Sequence, residues 1–168
     1  MAHAVVRTDL LAGTDVRSEL VSVRYQPESN GSNVPTDIDN GNIVKLGDLE
    51  EGSRTVYIGL TPAANTALND VVLIATPEVM YDERLKNLDE YYNVAGKICR
   101  GYQLTNPGGF SVTADAFDGT PAKGKLVELM AGTKLKVVSS ATNGSTQVGK
   151  ITDVNVVGRY TYYYVELA

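Results

Sequence analysis

The run Val71-Val72-Leu73-Ile74-Ala75, bounded by Leu68-Asn69-Asp70 and Thr76-Pro77-Glu78, most restricts what this chain can fold into. A short unbroken apolar run between turn signals reads as a buried strand. Proline disfavours the helical region for the residue before it, so Thr76-Pro77 makes an extended link or a helix start. Past this link Asp82 and Glu83 place acids where a first helical turn favours them. Leu85, Leu88, Tyr92, Ala95 and Cys99 then recur at three- and four-residue steps. This spacing predicts one embedded helix over about residues 81–100, ended by Gly101.

The rest of the sequence predicts strands. Leu20–Tyr25 alternates apolar and polar residues, as a strand with one buried face does. Further runs fall at 43–46, 55–60, 102–104, 110–113, 125–129 and 134–138, separated by Gly, Asn and Pro turns. Residues 147–157 and 160–167 flank Gly158-Arg159, a two-residue hairpin signal. Sixteen glycines and ten tyrosines, with no tryptophan, suit many turns and half-wet strand faces. The expected fold class is mainly β: a single barrel or sandwich-like domain with the one helix across it. Residues 1–19 read as an N-terminal arm or irregular lead-in, and 20–168 as one domain carrying a long polar loop at 27–42. A loop of that length within a domain is functional, mobile or pinned by a partner.

At 168 residues the chain can bury roughly two-thirds of its unfolded surface. A net charge of −5 disfavours generic binding to nucleic acid, which needs clustered Lys and Arg. No stretch reaches the ~18 apolar residues of a membrane helix. The start, Met1–Asp9, lacks the basic-then-apolar order of a signal peptide, so cytoplasmic synthesis is expected. A single cysteine makes no internal disulfide. Asn30-Gly31-Ser32 and Asn143-Gly144-Ser145 match a glycosylation pattern and read instead as turns.

Motifs that carry chemistry are weak. Gly119-Thr120-Pro121-Ala122-Lys123-Gly124-Lys125-Leu126 has phosphate-loop spacing, but Leu126 stands where a hydroxyl must hold magnesium, and a strand comes next where a helix is needed. Asp37-Ile38-Asp39-Asn40-Gly41-Asn42 with Asp48 approaches a calcium loop, yet its glycine falls one place early and no helices flank it. A solvated acidic loop is the reading adopted, and whether residues 37–51 take calcium stays open. Cys99 falls on the apolar helix face as a packed thiol. His3, the sole histidine, lies in a terminal arm far in sequence from it, so neither a triad nor a multi-histidine metal site is assembled. Asp82, Glu83, Asp89 and Glu90 read as a polar helix face. No catalytic, cofactor or metal residue is assigned. In the last strand Tyr160, Tyr162 and Tyr164 share one face, Tyr163 and Val165 the other, and at least one face is core.

Val72–Arg84, Ala95–Tyr102 and Phe110–Thr113, with Val44–Leu49 and Gly149-Lys150-Ile151, resemble small structural proteins of tailed phages, in particular head decoration or auxiliary capsid proteins. The resemblance runs from about residue 40 to the C-terminus. It implies a non-enzymatic virion protein that binds the assembled major capsid protein lattice from outside after synthesis in the host cytoplasm. A homo-oligomer is implied, with a trimer among its states, and neither nucleic acid nor membrane as partner. The expected contact elements are the N-terminal ~50 residues and the last strand, through Val5, Val6, Arg7, Tyr25, Asp37, Asp39, Tyr160, Tyr162 and Tyr164. Two other classes stand beside it: a tail or head–tail connector subunit, and a small carbohydrate-binding or hydrolytic β-barrel.

Overall fold

The computed structural model describes residues 3–7, 20–80 and 87–168. Its architecture is set by the strand that holds Val71–Ile74. All four of these side chains are fully buried, yet they serve two cores. Val72 and Ile74 enter one cluster with Val23, Tyr25, Ile38, Val44 and Cys99. Val71 and Leu73 enter another with Ile43, Phe110, Val112, Leu129, Ile151 and Val165. Successive residues of a strand point to opposite faces, so a strand covered on both sides must be apolar throughout. Each such side chain contributes about 1.5–3 kcal/mol by leaving water.

Among the described residues thirteen strands are formed: β1 Leu20–Tyr25, β2 Glu28–Ser29, β3 Ser32–Asn33, β4 Ile43–Leu49, β5 Val56–Leu60, β6 Val71–Ile74 and β7 Cys99–Gln103, then β8 Gly109–Thr113, β9 Phe117–Asp118, β10 Leu126–Glu128, β11 Leu135–Val138, β12 Gln147–Val157 and β13 Tyr160–Leu167. β1, β5, β4, β6 and β7 close into a barrel in that order. Its one parallel pairing sets Val23 beside Tyr57. A six-stranded sheet, ordered β8-β13-β12-β10-β11-β9, packs against it. The two are tied by hydrogen bonds from Ile43 N–H to the Thr133 carbonyl (2.7 Å) and from Thr146 N–H to the Ala64 carbonyl (2.8 Å). The β-rich fold class is thus correct, as a closed barrel joined to an open sheet.

The embedded helix is not formed. Residues 81–86 lie outside the described residues, and over 87–100 the chain is a short turn leading into extended backbone. Among the described residues no helix reaches seven residues. Asn87 begins a single 3-10 turn, Leu88–Glu90, whose Glu90 carboxylate accepts the Asn87 N–H at 2.9 Å. Asn93 then exchanges backbone hydrogen bonds of 2.8 and 2.9 Å with Ile38, a β-bridge that no helix can make. Gly96, at φ +81°, turns the chain back into β7. The proposed apolar helix face is dispersed: Leu88 and Ala95 are exposed, whereas Tyr91 and Asn93 are buried.

The loop at 27–42 has two parts. Glu28–Asn33 is an exposed hairpin turning on Asn30-Gly31, both at positive φ as a type I′ turn requires. In the acidic loop expected at 37–42 with Asp48, Asp37 and Asp48 are exposed, but Ile38, Asn40 and Asn42 between the acids are buried. Asn40 uses its side chain as a strand uses its backbone. Its amide donates to the Thr76 carbonyl at 2.8 Å, and its oxygen accepts the Thr76 N–H at 3.0 Å. Asn93 donates to the same Asn40 oxygen at 3.0 Å and to the Ile38 carbonyl at 3.2 Å. Buried polar groups persist when satisfied in this way.

Candidate functional site

The N-terminal residues 3–7 seat against β8 and the 87–93 segment. Val6 bridges Val112 of β8, the Val5 carbonyl accepts the Thr113 N–H at 3.0 Å, and Arg7 N–H donates to the Ser111 carbonyl at 2.9 Å. Ala4, Val5 and Val6 are buried as a result. His3, read from sequence as part of a loose arm, is instead clasped at three points. Its N–H donates to the Asp89 carbonyl at 2.9 Å, and its ring stacks on Tyr92 with centroids 4.9 Å apart. Its Nδ1 donates to Asp39 Oδ1 at 2.7 Å.

Two hollows meet at His3. One, of about 370 Å³, is lined by His3, Asp37, Asp39, Asn42 and Tyr92. The other, of about 220 Å³, reaches Asp89, Thr113, Asp115, Arg159 and Tyr160. Arg159 Nη2 donates to both oxygens of Asp89 at 3.0 and 2.8 Å, and its Nη1 donates to Asn87 Oδ1 at 3.0 Å. The Tyr160 hydroxyl donates to the same carboxylate at 2.9 Å. Partial desolvation acts to raise the Asp89 pKa. The hydrogen bond from Tyr160, a backbone hydrogen bond and the Arg159 charge outweigh it and hold the carboxyl below the ordinary range. Asp37 accepts the Ala95 N–H at 2.7 Å, and Glu50 is engaged by Arg24 and Gln26. These acids therefore act as acceptors within the chain. Among the described residues no three His, Cys, Asp or Glu side chains gather as a metal would need.

The last strand settles its two faces. Tyr163, Val165 and Leu167 belong to the core between barrel and sheet, with Tyr163 edge-on to Phe117 at 6.1 Å. Tyr162, on the other face, is also buried, and the Arg7 guanidinium lies 5.4 Å from its ring centre. Tyr164 is half-buried over Gly109, where a Cβ would collide with its ring. Tyr25 is buried and shares a 2.9 Å hydrogen bond with Thr61. Of the nine expected contact residues, Val5, Val6, Tyr25 and Tyr162 are thus enclosed by their own chain. Arg7, Asp39, Tyr160 and Tyr164 are half-buried, and Asp37 is exposed.

Cys99 is a buried thiol, as the sequence indicates, though on β7 rather than on a helix. Desolvation raises its pKa against smaller opposing contributions from Thr76 and Lys97. Burial also raises Glu78, partly offset by a backbone hydrogen bond and by Asn40. The phosphate-loop look-alike is a turn: Gly124 N–H donates to the Ile151 carbonyl at 2.7 Å, and the chain runs on into β10.

Sequence reasoning missed a third hollow, about 360 Å³ in volume, at the edge of the barrel. Its lining is mixed, with Leu20, Val21, Pro77, Ile98 and Cys99 beside Ser22, Thr76 and Arg100. Leu20 and Ile98 at its rim are each 45% exposed. The helix expectation hid it, because Ile98 reads as a helix residue off the apolar stripe rather than as the residue leading into β7. Comparison with known proteins finds no matching family model, no matching characterised protein and no matching solved structure.

Proposed function

We propose that this protein is a non-enzymatic structural component of a tailed-phage virion, a decoration protein that binds the assembled major capsid protein lattice on its outer side. The reading starts from the likeness of its β6–β8 sequence to such proteins. The observation that carries it is the hollow whose rim exposes Leu20 and Ile98 on the wall of the closed barrel. Apolar side chains held open on a preformed surface suit docking, since little ordering entropy is lost on contact. Many weak contacts of this kind, repeated over a symmetric shell, give tight retention through avidity. The polar cleft at His3 is given an internal duty in this reading: its donors and acceptors hold residues 3–7 against β8 and the 87–93 segment.

The test is co-sedimentation of the purified chain with empty capsids of its phage, together with electron microscopy of particles made with and without the gene. Added density at capsid subunit junctions, lost on deletion, is expected. Ile98→Asp should reduce capsid occupancy at least about tenfold, the scale of a 1.4 kcal/mol loss per site. A chain that stays in the supernatant at all capsid concentrations overturns the reading. Rings or tubes formed by the chain alone would favour a tail or connector subunit.

A further inference from the structure

Beyond any lattice contact, and independently of it, one edge of the open sheet is built to meet a copy of itself. β12 pairs with β10 only through Gln147–Lys150, and the Ile151 backbone is taken by Gly124 and Lys125. From Asp153 to Val157 it has β13 on one side and, among the described residues, no strand on the other. The two-residue turn Gly158-Arg159, with Gly158 at φ +61°, makes Val157 and Tyr160 the hydrogen-bonded closing pair. Alternation along an antiparallel ladder then gives the N–H and C=O groups of 153, 155 and 157 to β13. Those of Val154 and Val156 point outward.

Edge strands are ordinarily blunted by lysine, proline, a bulge or a cover. The β12 bulge lies before this stretch, between Ile151 and Asp153, and Lys150 precedes it too. Lys123 reaches Asp153 at the near end of the stretch, at 3.9 Å, and beyond it three valines are open: Val154 is 36% exposed, Val157 46% and Val156 73%. Val154 stands opposite Tyr163, and Val156 shares that side of the sheet, so its apolar face runs outward past the core.

We propose that residues 153–157 pair antiparallel with the same residues of a second copy, about a twofold axis through Asn155. The sequence selects this occupant, because Val154-Asn155-Val156 reads the same in both directions. In that register each Val154 stands opposite Val156 of the second copy, and the outward groups complete about four hydrogen bonds. Asp153 faces Val157 rather than another acid, so like charges are not opposed. Five residues of edge bury less than the ~1,200 Å² of a stable interface, so the pairing is a weak dimer with a dissociation constant on the order of micromolar to sub-millimolar.

Sedimentation velocity of the full chain across a wide concentration range tests it, with hydrogen exchange at the Val154 and Val156 amides as the local readout. A concentration-dependent dimer with slowed exchange at both amides is expected. Val156→Pro deletes one outward donor at an edge position that tolerates proline, and Val156→Lys adds an edge charge. Each should raise the dissociation constant at least about tenfold. Asn155→Cys should form a disulfide-linked dimer on mild oxidation, because residues facing each other across the axis bring Cβ atoms within about 4.5–5.5 Å. Should Val156→Pro prove misfolded, Val156→Lys and Asn155→Cys still decide the matter. A chain monomeric throughout, with fast exchange at both amides, overturns the proposal. So does a monomer with both amides protected, which would place another segment on the edge, and so does a dimer that survives both Val156 variants.

Discussion

The closed barrel and the open sheet use the same strand-forming residues and reach opposite edge conditions. In the barrel every strand has two neighbours, so closure leaves it no edge strand. In the sheet, β8 is finished by Val5–Arg7, more than a hundred positions away in sequence, while among the described residues no strand covers β12 beyond Ile151. Closure makes the barrel a scaffold whose contacts must come through side chains, as at Leu20 and Ile98. Openness lets the sheet offer backbone as well.

The sharpest way to break this contrast is to attack the strand both regions share. Leu73→Ala empties the core between barrel and sheet, and Ile74→Ala empties the barrel interior; each should cost about 2–5 kcal/mol. Urea unfolding monitored by circular dichroism should show one lowered transition in both cases. Two separated transitions would mean that the regions are energetically independent. Next in size is Asn40→Ala, which leaves the Thr76 backbone pair without its side-chain partner and the Asn93 amide with the Ile38 carbonyl alone. A loss of about 2–3 kcal/mol is expected, with faster exchange at the Thr76 and Ile38 amides.

A smaller effect separates the polar cleft from the cores. The Asp89 carboxyl is held below its ordinary value of 3.8, so the unfolded chain takes up that proton first as pH falls. Its contribution is complete above the ordinary value and disappears as pH drops through the lower folded value. Asp89→Asn should therefore cost less than about 1 kcal/mol at pH 7, since the pair with Arg159 is largely solvated. The difference from wild type should close between roughly pH 5 and pH 2, read as urea midpoints. Smallest of all, Val156→Thr should leave stability within about 0.5 kcal/mol, because Val156 is 73% exposed. A large loss there would show that β12 is already covered.

What could be read beforehand divides along the same line. β12 and β13 were legible to the residue, because a two-residue turn fixes register and alternation does the rest. β6 was legible as a buried run. The 81–100 segment was misread because Leu85, Leu88, Tyr92, Ala95 and Cys99 mimic a helical stripe, while the residue that decides the backbone, Asn93, is polar and looks like surface. Asn40 likewise reads as part of a solvated acidic loop, although its side chain completes a ladder 36 residues away. Such partnerships depend on three-dimensional neighbours that a linear pattern does not carry. The open edge at β12 left a local trace, the self-reading Val-Asn-Val, but its meaning depends on how far β10 extends.

The Val5–Thr113 hydrogen bond spans 108 positions. During synthesis Val5 must wait until β8 has emerged before it finds its seat, and at about 5–20 residues per second that interval lasts on the order of ten seconds. Over that time Ala4, Val5 and Val6 are a bare apolar tag on a nascent chain, available to whatever chaperone or neighbouring polypeptide meets them first.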